Sequence, residues 1–465
     1  MDEILAYVES NRQRYLAELK EVLSIPSVSS QSKYNAETRR CAEWISDQMR
    51  IIGLNNVQIL ETAGHPIVYG DWMEAPGNPT VLFYGHYDVQ PVDPIELWTS
   101  QPFEATMRGD YLYARGAADD KGQLFIHFKA VEAFMKTVGR LPVNIKMIIE
   151  GEEEIGSVHL DDFIRQHKDL LKSDLVVISD SGMFAKGVPS VCYGLRGLAY
   201  FEIEVTGPNR DLHSGSFGGA IHNPIQALCE MIASLHDKDG TIKVDGIYKN
   251  VQKLSNMERK SYKKLPWDDK TFGKNLGVKE LYGERGFTTI ERIWARPTLE
   301  CNGIWGGYTG EGAKTVLPSK AYAKISMRLV PHQTSEKVVK LFERHMKKIA
   351  PKTVQVKVKT LHSGEPAITP IESPGVKAAV SALEKGFGKK PLYQREGGSI
   401  PIVTQFKQIL GIDTVLLGFG LPDENAHAPD EHLSLDNFFG GIRTTVHFYS
   451  ELPQFWTVKK KRKRK

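Results

Sequence analysis

Short apolar runs that lead directly into acids or histidines constrain this chain more than any other feature. Thr80 to Tyr84 precedes His86 and Asp88, and Val143 to Ile149 runs into Glu152, Glu153 and Glu154. Leu175 to Ile178 ends at Asp180, and the run from Thr414 to Phe419 is followed by a polar loop carrying His427. A further pair, Asp119 and Asp120, stands just before a helix expected to begin near Lys121. Apolar runs this short read as buried strands. Helical spacing fills the intervals: Leu124, Phe128, Val131 and Met135 keep it, as do Ile4, Leu5, Val8, Leu16, Leu19, Val22 and Leu23 in an opening helix that Pro26 closes. This alternation implies an α/β domain with a mostly parallel sheet. Open sheets of that kind place ligands at the carboxyl ends of their strands.

Each candidate has a plain structural alternative. His86 and Asp88 face one side in extended chain, which fits a metal ligand with its orienting carboxylate or an ordinary strand-end hydrogen bond. Asp119 and Asp120 could cap a helix, and Glu152 to Glu154 could form a solvated turn. Their joint placement at strand ends favours function. Crowded carboxylates repel unless cations share the site. Oxygen and imidazole donors without thiolate suit Zn2+ or Mn2+.

At 465 residues the chain calls for two or three domains. The pattern changes near Gly194. Phe201, Ile203 and Val205 alternate with Glu202 and Glu204, and Ile325, Met327 and Leu329 with Lys324, Ser326 and Arg328. These are strands with one wet face. With helices after Asn223-Pro224 and over 335–349, they predict an α+β domain at 194–373, inserted into an α/β domain of residues 1–193 and 374–465. The charged, Gly-dotted stretch 238–297 yields no pattern.

The formal net charge is +4; Lys459 to Lys465 supply seven positive charges, so the rest of the chain carries −3. This basic tail, 459–465, reads as a solvated end, or as a loose attachment to nucleic acid or an anionic surface. No apolar run reaches the ~20 residues of a membrane span, and the opening MDEILAYVES lacks the basic region of a signal peptide. Cys41, Cys192, Cys229 and Cys301 form no CxxC, which fits reduced thiols and a cytoplasmic location.

The motifs GHYDVQP, RGAADDKGQ, EGEEEIGS, Ser179-Asp180, DLHSGSFGG and REGGSIP, with the late His427, resemble the M20 metallopeptidases, above all the cytosolic nonspecific dipeptidase and carnosinase branch. YGLRG and KTVLPSKAYAKISMRLVP match that branch as well. The resemblance implies two divalent ions per subunit, Zn2+ or alternatively Mn2+, held by a catalytic domain beside an inserted lid and dimerisation domain. His86 and Asp180 would bind one ion, Glu154 and His427 the other, and Asp119 would bridge both. Asp88 would fix the His86 ring. Counting back from Gly156 makes Glu153 the general base, with Glu152 the rival register; His432 rivals His427. His213 would face the substrate and its oxyanion. Arg328, Thr315, Gly398 and Ser399 would hold the substrate carboxylate. The implied function is hydrolysis of dipeptides by a homodimer without membrane attachment. The alternatives are an N-acyl-amino-acid deacylase using the same site and a catalytically silent binding protein.

Overall fold

The structure, a computed structural model, describes residues 1–398 and 400–462. Two compact units emerge. One comprises Met1–Tyr193, Thr369–Gln394 and Gln405–Lys465; the other comprises Gly194–Ile368 and Arg395–Thr404. The second unit closes at Ile368 rather than at 373, because Ala367 and Ile368 pair with Leu195 and Gly194. Residues 395–404 go with it, where the buried Arg395 finds its carboxylate partner in Glu258.

In the first unit, Asn144–Glu150, Thr80–His86, Leu175–Ile178 and Thr414–Leu416 lie side by side in that order, all parallel. Ile67–Trp72 and Asn55–Leu60 extend one side antiparallel, and Ser190–Leu195 the other. Every residue of Asn144–Glu150 is buried, and nearly every one of Thr80–His86. A strand covered on both faces has no polar side to alternate, hence the continuous apolar runs. The register pairs His86 with Glu150, Tyr84 with Ile178 and Ile178 with Leu416, so the carboxyl ends share one edge of the sheet.

Helices cover this sheet through Leu124, Phe125 and Phe128 of Lys121–Thr137, Leu383 of Pro374–Phe387, and Phe438, Ile442 and Tyr449 of Leu435–Arg462. The opening helix is two helices, Asp2–Ser10 and Arg12–Leu23, broken at Asn11 (φ −103°, ψ 8°). The Asn11 side-chain amide donates to the Tyr7 carbonyl at 2.8 Å, a local bond that competes with the helix ladder. The last helix, Leu435–Arg462, runs through Pro453. Leu452 is buried and Phe455 and Trp456 pack half-buried on the core, which extends its apolar face. The backbone of the first tail residues continues this helix; residues 463–465 lie outside the described residues.

The second unit holds an antiparallel sheet in the order Thr298–Gly306, Lys320–Leu329, Gly197–Thr206, Gln355–Gly364. Its register sets Ala199 opposite Met327, Phe201 opposite Ile325 and Ile203 opposite Ala323. These pairs form the core with helices Pro224–Ala233 and Ser335–Ile349. The strand Thr298–Gly306 was not legible, since its residues are mostly exposed and do not alternate. Within 238–297, helices Asn256–Tyr262 and Thr289–Ala295 each open on a capping box, Ser255 with Glu258 and Thr288 with Glu291. Among the described residues, no helix is long and apolar enough to cross a membrane.

Candidate metal centre

The parallel strands deliver their terminal residues to one place. His86, the last residue of its strand, has no exposed surface. Its Nε2 lies 3.1 Å from Asp119 Oδ1. Its Nδ1 lies 3.1 Å from the Asp88 carbonyl oxygen and 3.4 Å from Asp88 Oδ1, so the main chain is the ring's nearer partner. The Asp88 carboxylate accepts from the backbone N–H groups of Glu153 (3.2 Å) and Glu154 (3.1 Å). Asp88 thereby ties the His86 strand end to the turn Glu153–Ile155. Gly156 closes that turn at φ 93°, in the left-handed region that other residues avoid.

Glu152, Glu153 and Glu154 separate in space. Glu152 accepts from the His65 N–H at 3.1 Å and pairs with His159 Nδ1 at 2.8 Å. Glu154 Oε2 is 3.1 Å from His427 Nε2 and accepts from Gln90 Nε2 at 2.8 Å. His427 Nε2 also lies 2.8 Å from Asp119 Oδ2. His432, by contrast, stacks on Tyr113 at 4.6 Å and joins no donor group.

Among the described residues, two sets of donor atoms could hold a metal ion: His86, Asp119 and Asp180, and Asp119, Glu154 and His427, with the atoms of each set within 4.8 Å of one another. Asp119 belongs to both, one carboxylate oxygen toward His86 and the other toward His427. Asp120 occupies the cap position of Lys121–Thr137 without making a side-chain cap bond. Its Oδ2 instead accepts from the His86 N–H at 3.3 Å.

The protein's own charges are unbalanced here. Burial, with Glu154, Asp119 and Asp88 nearby, pushes Glu153 up to about 8 against the opposing His86. Burial and the charge of Asp119 raise Asp180 well above the carboxylate range. Bonds to Asp119 and then Glu154 push His427 up to about 10. Burial works against a low value for Asp119, yet its bonds to His427 and His86 hold it below that range. An oxygen-rich donor set whose carboxylates resist ionisation together fits hard or borderline divalent cations.

In the second unit, His213 pairs with Val316 across two short strands. Its Nδ1 accepts from the Gly215 N–H at 3.0 Å, and its Nε2 lies 3.5 Å from Thr315 Oγ1. Arg328 stands opposite Thr298 and Leu198 in the sheet, and the Gly398 carbonyl accepts from the Arg196 N–H at 3.2 Å. Ser399 lies outside the described residues. Sequence reasoning overlooked Gln90 and the buried Glu431. Gln90 sits inside GHYDVQP and Glu431 in the polar loop of His427, and nothing in a one-dimensional pattern marks which polar residue turns inward.

The family model for peptidase family M20/M25/M40 matches residues 82–451. The chain is 34% identical to the Cys-Gly metallodipeptidase of Schizosaccharomyces pombe, over 97% of this chain and 98% of that protein. It is 32% identical to the human Beta-Ala-His dipeptidase, over 98% of this chain and 93% of that protein. The solved structure of an M20 family metallo-carboxypeptidase from Sulfolobus solfataricus superposes with a TM-score of 0.82 at 35% identity, covering 95% of this chain and 99% of that one. Matched from its first parallel strand to its last helix, and similar to these metallopeptidases over nearly its whole length, the chain belongs to peptidase family M20/M25/M40.

Proposed function

We propose that this chain hydrolyses dipeptides, releasing the C-terminal amino acid, at a centre of two divalent cations. The observation that carries this reading is Asp119, shared between two donor sets. His86 and Asp180 hold one cation and Glu154 and His427 the other, Zn2+ or alternatively Mn2+. Two ions so held would supply an acidified water and a polarised scissile carbonyl. Glu153 takes the water's proton on its carboxylate and passes it to the leaving amine. Its position supports this role, because the turn that bears it is pinned to Asp88 while its own carboxylate belongs to neither donor set. His213 donates toward the oxyanion. Arg328, with Thr315, Gly398 and Ser399, holds the substrate carboxylate.

The first unit is the catalytic domain and the second the lid and dimerisation domain. Exposed Ile304, Trp305 and Tyr308 on and beside an edge strand of the second unit support a homodimer. Four free cysteines support a cytoplasmic location. The names of the relatives favour dipeptides over acyl amino acids, and they give no support to a silent binding protein.

The test is hydrolysis by chelator-stripped protein resupplied with Zn2+ or Mn2+, on Cys-Gly, β-Ala-His and other dipeptides beside N-acetyl amino acids. Metal-restored cleavage of dipeptides alone is the expected outcome. Cleavage of the acetyl panel alone, or no cleavage with metal bound, refutes the proposal.

A further inference from the structure

The loop that carries His427 also carries Glu431, which has no exposed surface. Its carboxylate serves one stretch of chain. Oε2 accepts from Arg115 Nη1 at 2.7 Å and from the Gly116 N–H at 2.9 Å. Oε1 accepts from the Ala118 N–H at 2.9 Å and the Asp119 N–H at 3.1 Å. A carboxylate offers about four acceptor positions, and a single loop fills them. The Glu431 carbonyl adds a bond from the Ala114 N–H at 3.1 Å.

The His427 loop needs such anchoring. Asn425, His427 and Asp430 have φ of 55°, 62° and 57°, a left-handed conformation that Asn and Asp adopt readily but that costs energy at His427. Asp430 ties the same loop to Thr99 through its N–H at 3.0 Å and its hydroxyl at 2.6 Å. Glu431 ties it to the residues leading into Asp119.

We propose that Glu431 is a positioning residue for the metal centre: its carboxylate fixes the main chain of Asp119 relative to the loop of His427, and so sets the distance between the shared carboxylate and the last ligand. The proposal rests on the reading of Asp119 and His427 as metal ligands. A simpler role exists, that Glu431 only neutralises the buried Arg115. Arg115 supplies one of the four bonds to the carboxylate, however, and backbone N–H groups of residues 116, 118 and 119 supply the others.

The two roles separate in the full chain with E431D and E431Q. Aspartate keeps the charge beside Arg115 but falls one methylene short of the loop. Zn2+ affinity of chelator-stripped protein is measured by competition with a chromophoric chelator. Dipeptide hydrolysis at saturating Zn2+ is measured alongside. Positioning predicts that both variants lose about ten- to hundredfold in Zn2+ affinity, with E431D the milder. It also predicts KM for the dipeptide within about twofold of wild type once Zn2+ saturates, since Glu431 touches no substrate. An E431D affinity equal to wild type overturns the proposal in favour of the ion-pair role, and that variant decides the matter if E431Q does not fold. Wild-type protein that takes up no Zn2+ overturns the metal centre itself, a failure distinct from unchanged affinity in the variants.

Discussion

Replacing His127 with leucine should cost stability at neutral pH and far less in acid. His127 is fully buried in the first unit, with its ring stacked on Phe83 at a centroid distance of 3.9 Å. Its Nε2 is 2.7 Å from Ser179 Oγ, and its Nδ1 is 2.9 Å from the Tyr449 hydroxyl. Ser179 donates its own proton to the Leu417 carbonyl at 2.6 Å. The serine oxygen therefore accepts from Nε2–H, and Nδ1 is left to accept from Tyr449. That neutral ring is satisfied by both hydroxyls. Burial pushes the pKa from 6.5 down to about 3. Below 6.5 the unfolded chain binds a proton that the folded chain refuses. The contribution to stability is thus complete above 6.5 and is lost as pH falls toward 3. Each pH unit is worth about 1.4 kcal/mol, so acidification to about pH 4.5 removes ~2.7 kcal/mol. Leucine leaves the Tyr449 hydroxyl without its acceptor, a loss of about 1–3 kcal/mol at neutral pH. The assay is urea unfolding of chelator-treated wild type and His127→Leu from about pH 7 to about pH 4.5. The penalty of the substitution should shrink by ~2.7 kcal/mol over that range, because leucine has no proton to refuse. A penalty that stays constant would mean the imidazole charges inside the fold, and would refute the reasoning.

Glu153→Gln should lower kcat by about 10²–10⁴-fold while the chain still binds two ions in equilibrium dialysis; loss of an ion would make Glu153 a ligand instead. His213→Ala should lower kcat by about 10²-fold with an unchanged thermal transition, since the side chain is exposed and its contacts are the Gly215 N–H and a long 3.5 Å approach to Thr315. An unaltered rate would remove His213 from the chemistry.

The buried parallel strands were legible because burial on both faces leaves uninterrupted apolar runs, and their ends announced His86, Asp180 and the Glu153 turn. The half-exposed strands around Phe201 and Met327 were legible by alternation. What failed to show has physical causes. Asn11 breaks a helix whose apolar spacing continues across it. Pro453 stands inside the last helix, which the half-buried Phe455 and Trp456 hold to the core beyond it. The helices within 238–297 are short, yet their S/T-x-x-E caps at Ser255 and Thr288 stand in the sequence and could have been found. At the centre, residue types were readable and partners were not. The nearness of His427 to Glu154, or of Glu431 to the Asp119 N–H, depends on chain closure over hundreds of residues.

The two donor sets also impose an order in time. His86, Asp119 and Asp180 are all made early, whereas His427 follows Asp180 by 247 residues, after the entire second unit and the return of the chain. At about 5–20 residues per second, a ribosome takes some ten to fifty seconds to cross that interval. During most of it, the strand Thr414–Leu416, the partner of Leu175–Ile178, does not yet exist. Until His427 is made, a nascent chain can therefore assemble at most one of the two donor sets.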